Sequence, residues 1–221
     1  VKMATKQEVK LTAEEKIIGK VTNFFEKNRL GVIIVAAVIL VAFLVAVIAV
    51  NVINTKKENA QILAYNLEAK YYDLVASENP DWDSFEAEAK ALIKNGAYPS
   101  VKAAYVLGLA HYEQEDYANA LTAFENAYNL NTKIYMAPIA LVNAAASAEA
   151  NGDTQKALDL YNNVYNNYSD SGVAAKALFN VARIYYQQGN VQLAKSTFEQ
   201  VASYYTNSEY GAFATNIASV L

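Results

Sequence analysis

The chain has 221 residues, 54% of them hydrophobic, a formal net charge of −4 and no cysteine. That length holds one membrane-sized segment and one domain of ordinary size and excludes a large multi-domain enzyme; the lack of cysteine excludes disulfides, thiolate zinc sites and cysteine nucleophiles. Residues 1–29 carry seven Lys/Arg against four Asp/Glu and residues 30–221 carry eleven against eighteen, +3 and −7, so the acidic body lacks the positive footprint that a nucleic-acid partner requires.

Residues 1–29 are predicted to form a cytoplasmic amphipathic helix. Thr12-x-x-Glu15 reads as a capping box, with Leu11 placed as its staple. Ile17, Ile18, Val21, Phe24 and Phe25 then share one face, with Lys16, Lys20 and Lys27 on the others. Such a helix suits either the headgroup region of a bilayer or the surface of a neighbouring subunit.

Residues 30–50, LGVIIVAAVILVAFLVAVIAV, are 21 residues without a charge. At about 1.5 Å per residue they match a hydrocarbon core of roughly 30 Å, longer than the apolar region of a signal peptide. The expectation is a transmembrane helix over 30–53 and lipid contact through it. Lys16, Lys20, Lys27 and Arg29 before the span outweigh the sparser Lys56, Lys57 and Lys70 after it, which places the N-terminus in the cytoplasm. No Gly or Pro occurs between Val32 and Asn79, so one long helix is expected to continue past the span. Residues 54–100 then comprise that continuation and a degenerate first helical pair, broken at Asn79-Pro80.

From residue 101 the chain repeats with a period of 37: Ala120, Ala157 and Ala194; Phe124, Tyr161 and Phe198; Asp116, Asp153 and Asn190. Three copies starting near Val101, Pro138 and Ala175 fill 101–206, each divided by a short turn, QED, NGD or QGN, into two amphipathic helical patterns. Small residues such as Gly108 and Ala120 allow two antiparallel helices to approach, and Leu107, Tyr117 and Phe124 fill the space around the contact. Tyr168-x-x-Ser171 and Tyr205-x-x-Ser208, also 37 apart, mark the connections, each serine placed to cap the next helix. Residues 207–221 are expected to form a capping helix over the end of the array.

The order Leu107-Gly108, Tyr112, Asp116-Tyr117, Ala120, Phe124, Ala127 resembles the tetratricopeptide repeat, a helix-turn-helix unit of about 34 residues. The third copy matches nearly as well, with Ala182 in place of Gly; the second has Ala144, Ala145 and Ala148 at the signature positions of its first helix. The fold class expected is therefore all-α: an N-terminal transmembrane helix followed by a tetratricopeptide-type solenoid of stacked helical hairpins. With its basic helix, single span and acidic repeats, the layout resembles the YfgM-like family of bacterial inner-membrane proteins. That resemblance implies a periplasmic repeat domain associated with the SecYEG translocon and with periplasmic chaperones; the Tyr/Asn-rich repeats of this chain depart from it.

The functional expectation is binding rather than catalysis. No phosphate-binding GxxxxGK[ST], no GxGxxG, no HExxH and no nucleophile motif beside a histidine occurs, so no cofactor, metal or catalytic residue is expected. The only histidine, His111, aligns with Ala148 and Tyr185 and reads as a packing position. The acidic runs Asp81/Asp83/Glu86/Glu88 and Glu113/Glu115/Asp116 read as a helix N-terminus and a solvated turn. On the repeat template the groove-facing residues are Lys102, Tyr105, Leu109 and Tyr112; Ile139, Val142, Ala146 and Glu149; Lys176, Phe179, Arg183 and Tyr186. Of these, Tyr105, Tyr112, Phe179, Arg183 and Tyr186 are of the types that most often anchor partners, with Lys102 and Lys176 beside them; the aromatic members serve equally to fill the junctions between units. The carboxylate clamp that the resemblance implies for some members is incomplete, because Tyr105 and Leu109 replace its Lys and Asn while Asn143 and Lys176 match. The expected partners are other proteins, as peptide segments or subunits of a membrane complex. Self-association into a larger envelope assembly is the alternative.

Overall fold

The computed structural model describes residues 12–94 and 97–221. Leu11, the expected staple, lies outside them, as do residues 1–10 of the expected first helix and residues 95–96 of the expected degenerate pair. The chain divides after Lys57 into two compact units. In the first, α1 (Ala13–Lys27) opens on the expected capping box: Glu15 N–H donates to Thr12 Oγ1 at 3.3 Å and Thr12 N–H to Glu15 Oε2 at 2.7 Å. Ile17, Ile18, Val21, Phe24 and Phe25 are all exposed. Next comes α2 (Arg29–Val75), a single helix running through residues 51–57, where nothing in the sequence stops it. It is long and apolar enough to cross a membrane by length and composition, and its most apolar stretch is unburied.

The second unit is built from hairpins. Residues 58–75 of α2 lead into α3 (Trp82–Leu92), α4 (Tyr98–Glu113), α5 (Tyr117–Leu130), α6 (Met136–Ala150), α7 (Thr154–Asn167), α8 (Ala174–Gln187), α9 (Val191–Tyr204) and α10 (Glu209–Ala218). From α3 on, each helix packs on the next, α6 also touches α4, and α10 lies against both α9 and α8 as a cap. Leu67 and Tyr71 of α2 join Phe85, Ala89, Ala103 and Val106 in one core cluster, so the end of α2 shares a core with α3 and α4. No strand occurs among the described residues. The repeats' first helices begin at Tyr98, Met136 and Ala174, one to three residues earlier than expected, and in α4 and α6 this puts Pro99 and Pro138 in the first turn, where a proline nitrogen forfeits no intrahelical hydrogen bond.

The three turns are copies of one backbone motif. Asp116, Asp153 and Asn190 N–H donate to His111, Ala148 and Tyr185 O at 2.8–2.9 Å, and the residues before them, Glu115, Gly152 and Gly189, donate to Tyr112, Glu149 and Tyr186 O at 3.0 Å. These are Schellman closures. They place Glu115, Gly152 and Gly189 at φ of 59°, 85° and 77°, a region glycine adopts freely and Glu115 adopts at a cost of about 1 kcal/mol. Asp116 and Asp153 then cap α5 and α7 through their carboxylates, whereas the Asn190 side chain makes no capping bond to α9.

Within each hairpin the small and large residues interlock. Ala120, Ala157 and Ala194 are fully buried, and Phe124, Tyr161 and Phe198 nearly so. A Cβ on Gly108 would stand 2.6 Å from the Phe124 ring, which accounts for glycine there.

One expectation fails. Ser208 caps α10, accepting from Gly211 N–H at 3.0 Å, but Ser171 does not cap α8. Its carbonyl instead closes a turn with Ala174 N–H at 3.1 Å, and α8 starts only after Val173, out of reach of the serine side chain. Ser171 Oγ is left buried without a hydrogen-bond partner.

Candidate functional site

Positions 102, 105, 109 and 112 lie on one face of α4 at helical spacing, and the equivalent positions of α6 and α8 extend it. The structure sorts the expected anchors on this face into three kinds. Lys102, Tyr105 and Arg183 bridge neighbouring first helices. The Lys102 ammonium is 2.6 Å from the Glu68 carboxylate of α2 and 3.9 Å from the centroid of the Tyr65 ring, and the residue is only 5% exposed. Asn143 Nδ2 of α6 donates to Tyr105 OH at 2.7 Å, and the Tyr105 ring packs on Phe124. Burial raises the Tyr105 phenol above its usual range, partly opposed by that hydrogen bond. Arg183 of α8 meets Glu149 of α6 through two parallel hydrogen bonds of 2.6 and 2.7 Å, which hold the guanidinium above its usual range. Each junction between consecutive first helices is thus closed by a polar bridge, and bidentate Arg–carboxylate geometry is the strongest form of such a bridge.

Phe179 is of the second kind. It packs between Phe198 and Tyr210, with ring centroids 5.2 and 5.4 Å away, filling the junction between α8, α9 and α10. Tyr112 and Tyr186 are of the third kind, 40% and 51% exposed at the C-terminal ends of α4 and α8; Tyr112 rests edge-on against Tyr117. Lys176 stands half-buried on α8.

His111 is mostly buried, with Nδ1 3.6 Å from Asp116 Oδ2. It lines an open cavity of about 700 Å³ with Glu86, Lys90, Leu107 and Asn126. Asp116 is held below the usual carboxylate range chiefly by the Asn119 amide. No cluster of three or more potential metal ligands occurs among the described residues.

Two profiles of the tetratricopeptide repeat family match residues 76–131 and 136–207, together more than half of the chain. The chain belongs to the tetratricopeptide repeat family. Among solved structures it is similar to a tetratricopeptide repeat protein from Parabacteroides merdae ATCC 43184, at 25% identity and a TM-score of 0.53 over 71% of this chain. The chain spans 59% of that protein's length. It is also similar to the nearly identical TPR-like repeats of Podosopora anserina, at 14% identity and a TM-score of 0.50, covering 72% of this chain and 81% of that one, a likeness of fold alone. No curated protein matches the sequence.

Tetratricopeptide repeats mediate protein–protein interactions. In this tetratricopeptide repeat domain the Asn143 amide is engaged by Tyr105, so a residue of the partial carboxylate clamp is already bonded within the protein. Sequence reasoning missed Tyr65 and Glu68, the partners of Lys102. The signal that could have found Glu68 is a 34-residue spacing of opposite charge, Glu68 to Lys102 and Glu149 to Arg183, three residues short of the 37-residue period.

Proposed function

We propose that this protein is a membrane-anchored tetratricopeptide repeat scaffold, which captures other polypeptides on the face formed by its first helices and performs no catalysis. The observation that carries the reading is the division of labour on that face. Lys102, Tyr105, Arg183 and Phe179 are consumed in holding the helices together, while Tyr112 and Tyr186 stay open. Large, rigid aromatic side chains left exposed beside a stiff, internally bonded surface are suited to anchoring a partner at low entropic cost. Tyr112→Ala with Tyr186→Ala is expected to weaken partner capture at least tenfold while leaving the helical circular dichroism and melting temperature unchanged. Loss of helicity instead would place both tyrosines among the residues that hold the fold.

The proposed anchor is the apolar run at 30–53, in which no residue is buried and which therefore calls for lipid. The proposed location is a bacterial inner membrane, single-pass, with the N-terminus cytoplasmic and the repeats periplasmic. There the translocon and periplasmic chaperones are the proposed neighbours, by resemblance of layout to the YfgM-like family. Because the chain has no cysteine, Asn207→Cys provides a unique thiol in the loop before α10. A membrane-impermeant maleimide should label it in spheroplasts without lysis; labelling only after lysis would reverse the topology. A second reading, self-association into an envelope assembly, is favoured by the exposure of Phe213 and Val220 at the capping end.

A further inference from the structure

Along one edge of the array, where each first helix begins, the 37-residue register brings Tyr98, Tyr135 and Gly172 to equivalent positions. The first two form a stack: ring centroids 6.1 Å apart, planes inclined by 29°, hydroxyl oxygens 3.0 Å apart. The same step applied again would lay a third phenol on the free face of Tyr135. The chain has Gly172 there instead, and Tyr135 is left 67% exposed. Beside it opens a cavity of about 440 Å³, walled by Tyr135, Pro138, Ile139, Tyr168, Ser171 and Gly172.

Neither backbone nor packing requires that glycine. Its φ is not among the left-handed ones, and a Cβ would meet nothing within 4 Å. What the missing side chain leaves is space. The walls are largely apolar, with Thr132, Lys133 and Ser171 among the lining residues; Ser171 Oγ is buried and unpartnered.

We propose that this cavity is a phenol-binding pocket, taking a tyrosine side chain of a partner polypeptide that stacks on Tyr135 as Tyr135 stacks on Tyr98. Apolar walls and an offset-stacked ring account for recognition of an aromatic group. The hydroxyl is selected because the Tyr98–Tyr135 pair already sets phenol oxygens at hydrogen-bonding distance, so a third oxygen continues the chain. The inference rests on the protein-binding reading for the source of the tyrosine, and it adds a subsite at the opposite end of the first helices from Tyr112 and Tyr186.

The test uses the full chain in lipid nanodiscs with N-acetyl-tyrosinamide as probe, read by saturation-transfer difference NMR against empty nanodiscs. Saturable binding in the millimolar range is expected, with N-acetyl-phenylalaninamide several-fold weaker and N-acetyl-leucinamide silent. Gly172→Tyr should fill the pocket with the chain's own ring and weaken the probe at least tenfold, with a melting temperature equal to or above that of the parent. Tyr135→Ala should weaken it comparably. Undiminished binding to a folded Gly172→Tyr variant, or equal binding of the tyrosine and leucine amides, would overturn the pocket. Equal binding of the phenylalanine and tyrosine amides would overturn the selection of a phenol. Neither result alters partner capture at Tyr112 and Tyr186, so the two readings fail separately.

Discussion

Phe124→Ala is expected to lower the unfolding free energy of the repeat unit by about 3–5 kcal/mol, the range for emptying a well-packed aromatic site. Its ring is 1% exposed, lies under Gly108 and packs against Tyr105. Those contacts join both helices of the first full hairpin, and Tyr105 in turn is bonded to Asn143 of the next first helix. The cavity cannot collapse easily, because Ala120 and Ala127 on either side are already small and buried and have no side chain to swing into it. Urea denaturation followed at 222 nm reads the effect. A loss below about 1 kcal/mol would mean that the hairpin is not held by this interlock.

The second large effect is expected at Gly211→Ala, in the first turn of α10. A Cβ there would overlap the Tyr205 carbonyl oxygen. That carbonyl has little room to retreat, since it accepts from Ser208 Oγ at 2.8 Å and Ser208 N–H at 2.9 Å. The predicted outcome is undocking of α10, which uncovers Leu178, Phe198 and Val201, the buried cluster it closes with Ala214 and Ala218. A steric conflict with backbone costs about 2 kcal/mol or more. Hydrogen exchange should show protection lost in α10 and reduced in α9, with α4–α6 near the parent level, because each unit of a stacked array depends mainly on its neighbours. A variant with unchanged exchange in α10 would show that the backbone adjusts freely at Tyr205. Gly172→Ala is the control, having open space around its Cβ.

The sequence revealed most where one physical requirement recurs in every unit. The backbone closure at Glu115, Gly152 and Gly189, the alanines at 120, 157 and 194, and the large residues at 124, 161 and 198 repeat at 37 because each solves the same local problem of turning and interlocking two helices. The bridges between units were less visible. Glu68–Lys102 and Glu149–Arg183 span 34 residues and Tyr105–Asn143 spans 38, so each joins different positions of successive units, and self-alignment finds only like with like. As a result the seven expected binding residues looked alike in sequence, although three are structural bridges and Phe179 fills a junction. Ser171 shows the reverse error: it shares its register with Ser208, but Gly172 and Val173 postpone the helix by two residues and remove the amides it would have capped. The burial of Lys102 by Tyr65 and Glu68 depended on where the end of α2 packs, which no local pattern states.

Position-resolved photo-crosslinking in intact membranes is the sharpest test of a partner-binding face. A benzophenone amino acid would replace Tyr112, Tyr186 or, as a control on the second helices, the exposed Gln200 of α9. The same captured polypeptide is expected from 112 and 186 and none from 200. Capture from 200 as strong as from 186, or none from either tyrosine position, would contradict a binding face built on the first helices.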